Sequence, residues 1–189
     1  MTGPIENEVK IQLPETHAVL ERLQGAGFSE SAPRLFEANT IYDTKNNDLR
    51  QGSMLLRLRR VGDKHVITWK GRGEPGPHKS RPEVETRVNS GESMHQILGQ
   101  LGFHPTFRYE KFRTEYSPKG GAGVVTIDET PIGNFLEIEG PPEWIDATAQ
   151  RLGFSAEHYI VESYGRLYLA ACERQGVQPT NMVFASHSL

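Results

Sequence analysis

The sequence predicts an α+β fold: eight antiparallel strands that close into a barrel or a strongly curved sheet, with helices packed outside. Three observations carry this. Eight segments alternate with period two, the signature of half-buried strands. Short turn signals separate most of them, which favours antiparallel neighbours over crossover connections. Four stretches between or after the strands carry apolar residues at helical spacing.

In order, the predicted strands are Ile5–Leu13, Phe36–Asp43, Met54–Val61, Lys64–Lys70, Arg81–Val88, Tyr109–Tyr116, Gly123–Glu129 and Asn134–Gly140. The turns between them are Asn46-Asn47-Asp48, Gly62-Asp63, Gly71 to Gly76, Pro118 to Gly121 and Pro131 to Gly133, all rich in residues that tolerate turn dihedrals. The predicted helices are Thr16–Gly25 (Val19, Leu20 and Leu23 on one face), Ser93–Leu101 (Met94, Ile97, Leu98, Leu101), Pro142–Leu152 and Ala156–Cys172. The last places Tyr159, Ile160, Tyr164, Leu167 and Tyr168 together, as residues that pack the helix on the barrel. Tyr164 has a second reading, an approach to the barrel interior. Three helices end in Gly-Phe: Gly27-Phe28, Gly102-Phe103 and Gly153-Phe154. Each reads as a left-handed glycine stop followed by an apolar residue that packs back. The recurrence is either three separate caps or a weak internal duplication of strand and helix elements. Residues 1–174 read as one domain, and 175–189, without periodicity, as a frayed C-terminal tail or extension.

Composition narrows the function. Of 189 residues, 45 are charged (21 basic, 24 acidic), so no single-sign excess marks a nucleic-acid partner. A single cysteine, Cys172, excludes an internal disulfide and a multi-cysteine zinc site. No apolar run approaches the roughly 20 residues of a membrane span, and the N-terminus has no secretory pattern, so the expected setting is the cytoplasm without a membrane partner. Gly71 to Gly76 satisfies GxGxxG, but Pro75, Pro77 and Pro82 and a following strand exclude a helix-opening dinucleotide turn. It reads as a loop at a barrel mouth. The seven histidines show no ligand spacing.

The informative feature is where the charges fall. Glu6, Glu8 and Lys10 share one strand face; Arg57 and Arg59 alternate with Leu56 and Leu58; Lys70 opposes Ile67 and Trp69. Arg81, Glu83, Glu85 and Arg87 run in unbroken period two, followed by Lys111, Arg113 and Glu115, then Asp128, then Glu137 and Glu139. One such strand is ordinarily a solvated face with weak cross-strand ion pairs. When most strands share the pattern and the sheet closes, one whole face lies inside. Charges there are costly unless paired or bound to a ligand. Arg and Lys suit phosphate oxygens, while clustered carboxylates suit a hard cation such as Mg²⁺ or Mn²⁺. The expected occupant is a metal–triphosphate complex.

These residues, in this order, resemble the CYTH family, the triphosphate tunnel metalloenzymes, which includes class IV adenylate cyclases, thiamine triphosphatases and inorganic tripolyphosphatases. Glu6-Asn7-Glu8-Val9-Lys10 matches ExExK. Ile41-Tyr42-Asp43-Thr44 with Leu55 to Arg59 is similar to the family's DT…LRLR stretch, Thr68-Trp69-Lys70 to TxK, and Arg81 to Glu85 to RxExE. Lys111-Phe112-Arg113 matches KxR, Asp128 through Glu139 is similar to D…LGxFxEIE, and Ser163-Tyr164 resembles a pair in the C-terminal helix. The resemblance covers residues 5–170 and implies a closed eight-stranded tunnel. It implies metal ligands among Glu6, Glu8 and Glu139, with Glu137 and Asp128 nearby. Lys10, Arg57, Arg59, Lys70, Arg81, Lys111 and Arg113 would contact the triphosphate. Glu83 and Glu85, with Lys70, would serve catalysis, the carboxylates holding a second metal or positioning a water. Ile132-Gly133 replaces a Leu-Gly, and the start lacks an EIERKFL-type extension, which leans towards the cyclase-like branch. The implied substrate is ATP, with tripolyphosphate or thiamine triphosphate as alternatives. A binding module without turnover is disfavoured, because Glu6, Glu8 and Glu139 would hinder pure anion binding. The long barrel rim leaves room for a homodimer.

Overall fold

In the computed structural model, which describes residues 3–185, every strand turns a polar face inward, and the main apolar core lies outside the barrel. The strands are β1 (Ile5–Leu13), β2 (Phe28–Asp43), β3 (Leu55–Val61), β4 (Lys64–Lys70), β5 (Lys79–Val88), β6 (His104–Pro118), β7 (Val124–Thr130) and β8 (Gly133–Glu139). They close in the order β1-β5-β4-β3-β2-β6-β7-β8, and every neighbouring pair is antiparallel. The helices are α1 (His17–Gly25), α2 (Asp48–Gln51), α3 (Gly91–Gln100), α4 (Pro142–Arg151) and α5 (Tyr164–Gln175), with one 3-10 turn at Ala156–His158. Among the described residues no helix is long and apolar enough to cross a membrane.

The alternation of β1 explains the inside-out arrangement. Val9, Ile11 and Leu13 point outward and meet Val125, Ile127, Leu136 and Ile138 from β7 and β8. Onto this surface α1 lays Val19 and Leu23, and α4 lays Ile145 and Ala149, with Leu152 beside them. Each such side chain, fully buried, contributes about 1.5–3 kcal/mol. A second outer cluster forms where Leu98 and Met94 of α3 meet Tyr42, Leu58 and Ile67.

Apart from the four-residue α2 between β2 and β3, the order of elements is the same in both halves: β1-α1-β2-β3-β4 and β5-α3-β6-β7-β8. Exchanging each strand of the first half for its counterpart returns the same barrel order read in reverse. Two of the Gly-Phe stops, after α1 and α3, belong to this pattern, while the third, after α4, stands outside it as a separate cap; Gly27, Gly102 and Gly153 all have φ between 78° and 88°. The amides of Phe103 and Phe154 donate back to the Leu98 and Ala149 carbonyls, both at 2.9 Å, as in a Schellman stop.

Four expectations need correction. β2 begins at Phe28 and β6 at His104, earlier than the alternation indicated; irregular register at Glu30, Ala32 and Leu35 breaks the period that would have revealed the extension of β2. Asp48–Gln51 forms a helical turn: the buried Asp43 carboxylate accepts from the amides of Thr44, Leu49 and Arg50 at 2.8–2.9 Å. The helix expected over Ala156–Cys172 is interrupted. The β1–β5 ladder ends at Glu8 and Lys79, so Lys10 takes its backbone partner from Ile160, at 3.0 and 2.8 Å. That pairing keeps Ile160 extended, and α5 starts only after Ser163, whose Oγ accepts from the Arg166 amide. Finally, the expected fraying is not what the described part of the tail does. Met182 is fully buried and pairs with β6, its amide donating to the Arg108 carbonyl and its carbonyl accepting from the Glu110 amide. The part of the tail reading at 186–189 lies outside the described residues.

Candidate active site

The barrel interior is a cavity of about 1200 Å³. Of the fourteen charged residues to which the resemblance gives a site role, all but Asp128 line it, and Asp128 lies beneath its wall with no exposure; of the two further charges in the alternating pattern, Glu115 lines the cavity and Arg87 is exposed outside it. Strand register fixes their order. Glu8 sits opposite Lys79 on β5 and opposite Glu139 on β8; Glu6 is opposite Arg81, Lys10 opposite Glu137, Lys70 opposite Glu83, and Arg113 opposite Asp128.

The ion pairs form two groups. At one side, Lys70 Nζ reaches Glu6 Oε2 at 2.6 Å and Glu83 Oε2 at 2.9 Å, and Arg81 lies 3.6 Å from Glu6. At the other, Asp128 accepts from Lys111 at 2.8 Å, from Arg113 through both oxygens at 2.6 Å, and from the Tyr164 hydroxyl at 2.7 Å. Lys10 joins the groups, at 3.0 Å from Glu8 and 3.2 Å from Glu137, and Glu137 also accepts from Arg113. Arg57 and Arg59 line the opposite wall, 3.7 and 3.2 Å from Glu85.

Two charged residues escaped the sequence reading. Lys79 bonds Glu8 Oε1 at 2.6 Å; it continues the Arg81, Glu83, Glu85 alternation one step back, where the Pro-rich loop obscured it. Glu37 is buried between Lys111 at 3.6 Å and Arg59 at 3.5 Å; the only other charge on its predicted strand is Asp43 at the far end, so no alternation of charges marked it. Tyr164, read first as packing, reaches the interior wall from α5, so its second reading describes its place.

The electrostatics are uneven. Burial and the Glu8 charge push the Glu6 carboxyl up to about 7, against the partial offset of Lys70. Burial and Glu8 also raise Glu139, which makes no ion pair or side-chain hydrogen bond with the described residues. Burial would raise Glu8 as well, but Lys10, Lys79, Lys70 and Arg81 outweigh it and hold it well below the carboxylate range. Burial pulls Lys79 down to about 8 despite Glu8. On the basic side, the Nε groups of Arg57, Arg59 and Arg81 are buried without a hydrogen-bond acceptor among the described residues.

Both halves of a metal–anion complex therefore have donors of the right kind. Unused guanidinium N–H groups suit phosphate oxygens. Glu6 and Glu139, crowded against Glu8 and incompletely neutralised, are hard oxygen donors whose repulsion a divalent cation would relieve. No group of three or more His, Cys, Asp or Glu side chains among the described residues is already arranged to hold a metal; Glu6 and Glu8 are tied to Lys70 and Lys79 instead. The cavity wall also carries apolar side chains, among them Ile41, Phe107, Val161, Leu169 and Pro179.

Comparison with known proteins agrees with this architecture. A Methanocaldococcus jannaschii protein named "Putative adenylate cyclase" is 28% identical over 135 residues, 71% of this chain and 76% of that protein. A solved Vibrio parahaemolyticus structure, described as a "putative adenylate cyclase", superposes with a TM-score of 0.75 at 21% identity, covering 87% of this chain and 98% of that one. A Hippeastrum structure, described as a "putative adenylyl cyclase" with a dominant triphosphatase activity, superposes with a TM-score of 0.63 at 17% identity over 93% and 97%. At these identities the structural likeness is one of fold. The CYTH domain family profile matches residues 4–164, from the first charged strand to the Tyr164 that closes over Asp128, a span holding every charged residue described above, and the chain belongs to that family.

Proposed function

We propose that this chain is a metal-dependent enzyme that holds a triphosphate inside the barrel and converts ATP to a cyclic nucleotide and pyrophosphate, as a class IV-type adenylate cyclase. The observation that carries the reading is the closed ring of inward charges, basic and acidic residues interleaved around one cavity. The M. jannaschii and V. parahaemolyticus names point to the same activity. The apolar side chains on the wall of the cavity of about 1200 Å³, such as Ile41 and Phe107, offer an adenosine group contacts that bare tripolyphosphate would not use.

In this reading Arg57, Arg59, Arg81 and Lys111 bind the phosphate oxygens, and Arg113 and Lys10 complete the positive wall. Asp128 and Glu137 aim Lys111, Arg113 and Lys10 from behind, so that little reorganisation remains when charge develops on the phosphates. Glu6, Glu8 and Glu139 are the donors for Mg²⁺ or Mn²⁺. That cation would neutralise phosphate charge and polarise the attacking hydroxyl. Glu83 stands beside Glu6, both held by Lys70, and Glu85 is held by Arg59; either carboxylate can accept the proton of the attacking hydroxyl. A second reading is a triphosphatase, in which water replaces the ribose hydroxyl; the activity stated for the Hippeastrum protein favours it. The same charges serve both.

The deciding experiment incubates the protein with Mg²⁺ or Mn²⁺ and, separately, ATP, tripolyphosphate or thiamine triphosphate, and identifies the products. Cyclic AMP with pyrophosphate is the expected result. Orthophosphate release establishes the second reading, and binding without product overturns both.

A further inference from the structure

Lys79 differs from every other lysine of the cavity. Lys10 is shared by Glu8 and Glu137, Lys70 by Glu6 and Glu83, and Lys111 by Asp128 and Glu37. Lys79 has one partner among the described residues, Glu8, at 2.6 Å. It also stands at the end of its ladder. Glu8–Lys79 is the last rung of the β1–β5 ladder, and Lys79 follows directly on the glycine- and proline-rich loop from Gly71 to His78. On the other side of Glu8, in the same register row, stands Glu139, which makes no ion pair with the described residues and feels Lys70 and Arg113 only from a distance.

We infer that Lys79 is a built-in counter-ion: its ammonium occupies Glu8 in the metal-free barrel and must leave that carboxylate when a divalent cation binds Glu8 and Glu139. This rests on the reading of Glu6, Glu8 and Glu139 as the metal donors. Lys79 then sets metal affinity from a position where it need not touch the metal. Displacing it costs one ion pair, so the empty barrel keeps its carboxylates compensated and binds the cation less tightly than the donor set alone would allow. Lys70 cannot serve in the same way, because it retains Glu83 when Glu6 turns away.

The test is Mn²⁺ binding without substrate, followed by calorimetry or by the electron-spin signal of free Mn²⁺. Lys79→Met and Lys79→Gln should bind Mn²⁺ about tenfold tighter than the native chain, the scale expected when a unit charge a few ångströms from a cation is removed from a partly solvated cavity. Lys79→Arg, which keeps the charge, should bind no tighter than the native chain. Unchanged affinity in both neutral variants, with the native chain binding Mn²⁺ and Glu8→Gln losing it, overturns the role of Lys79 and leaves the metal site standing. A native chain that binds no Mn²⁺, or a Glu8→Gln variant that binds it undiminished, overturns the metal assignment and this inference together. Reductive methylation of the native protein supplies a check that needs no variant. Labelling of Lys79, read by mass spectrometry, should rise when Mn²⁺ is added; labelling that stays constant overturns the displacement.

Discussion

Tyr164 on α5 donates its hydroxyl to Asp128 Oδ2 at 2.7 Å, and Asp128 has no solvent exposure at all. A helix outside the barrel is thereby fastened to the carboxylate that holds Lys111 and Arg113 inside it. Burial and the neighbouring Asp128 anion raise Tyr164 well above the ordinary phenol range, so the hydroxyl stays a donor. Tyr164→Phe leaves one buried oxygen of a charged group short of a donor, and should cost about 1.5–3 kcal/mol in urea unfolding. Asp128→Ala takes the nearest carboxylate from two buried cations, leaving Arg113 with Glu137 and Lys111 with the more distant Glu37, and should cost about 3–5 kcal/mol. Stabilities equal to the native chain would mean that the fastening carries no energy.

Acid should loosen the barrel through Glu37. Burial would raise this carboxyl, but Lys111, Arg113 and Arg59 outweigh burial and hold it down to about 2, from an ordinary value of 4.5. The folded value lies below the unfolded one, so as pH falls the unfolded chain takes the proton first. The stabilisation is therefore complete above 4.5 and disappears as pH falls towards 2. Glu37→Gln should lower stability at neutral pH and flatten the decline across that window, as followed by thermal melts at stepped pH. A variant whose melts decline as steeply as the native ones would assign the acid sensitivity elsewhere.

How much of this was legible from the chain follows from what alternation can and cannot report. Strands that put a charge at every second position, such as Arg81, Glu83 and Glu85, announced both their conformation and their inward face. Glu37 could not, because Asn39 and Ile41 separate it from Asp43, the next charge along its strand, and an isolated charge looks like any solvated residue. Lys79 was hidden by the prolines before it. The interrupted helix before α5 was invisible for a different reason: Ile160 leaves helical geometry because a distant backbone, that of Lys10, lacks a partner on one side. Met182 is the same case, filling an open edge of β6 that no local pattern signals. Period-two patterning reports faces; it does not report vacant edges, which are set by strand lengths elsewhere in the barrel.

Arg57 makes the longest ion pair described inside the barrel, 3.7 Å to Glu85, and the Nε of both Arg57 and Arg59 is buried without an acceptor among the described residues. Their guanidinium groups are thus available to an arriving anion. Arg57→Ala should lower kcat/KM by about 10–100-fold, mostly through KM, as expected for the loss of charge-assisted hydrogen bonds. Arg57→Lys keeps the charge but not the fork, and should recover only part of that loss. An unchanged concentration dependence for the alanine variant would remove Arg57 from the phosphate-binding wall.

Glu137 and Glu139 are two residues apart on one strand and face the same cavity, yet their surroundings are opposite. Burial would raise Glu137, but Lys10, Arg113 and Lys111 hold it far below the carboxylate range. Burial and Glu8 raise Glu139, which has no cation of its own. Removing the charge of Glu137 leaves Lys10 and Arg113 short of a buried partner, so Glu137→Gln should lower the unfolding free energy by about 3 kcal/mol or more. Glu139→Gln relieves a like-charge contact. The metal-free barrel should be as stable as the native one, or slightly more so above the ordinary carboxylate range, because a carboxyl whose folded value is raised loses stability as pH rises through that range. In the same variant the added stability that Mn²⁺ confers by binding the folded state should disappear. Thermal melts of both variants with and without Mn²⁺ separate the two roles. If Glu139→Gln keeps the full Mn²⁺ stabilisation, Glu139 is not a metal donor; if Glu137→Gln melts like the native chain, Glu137 is not the post on which Lys10 and Arg113 are aimed.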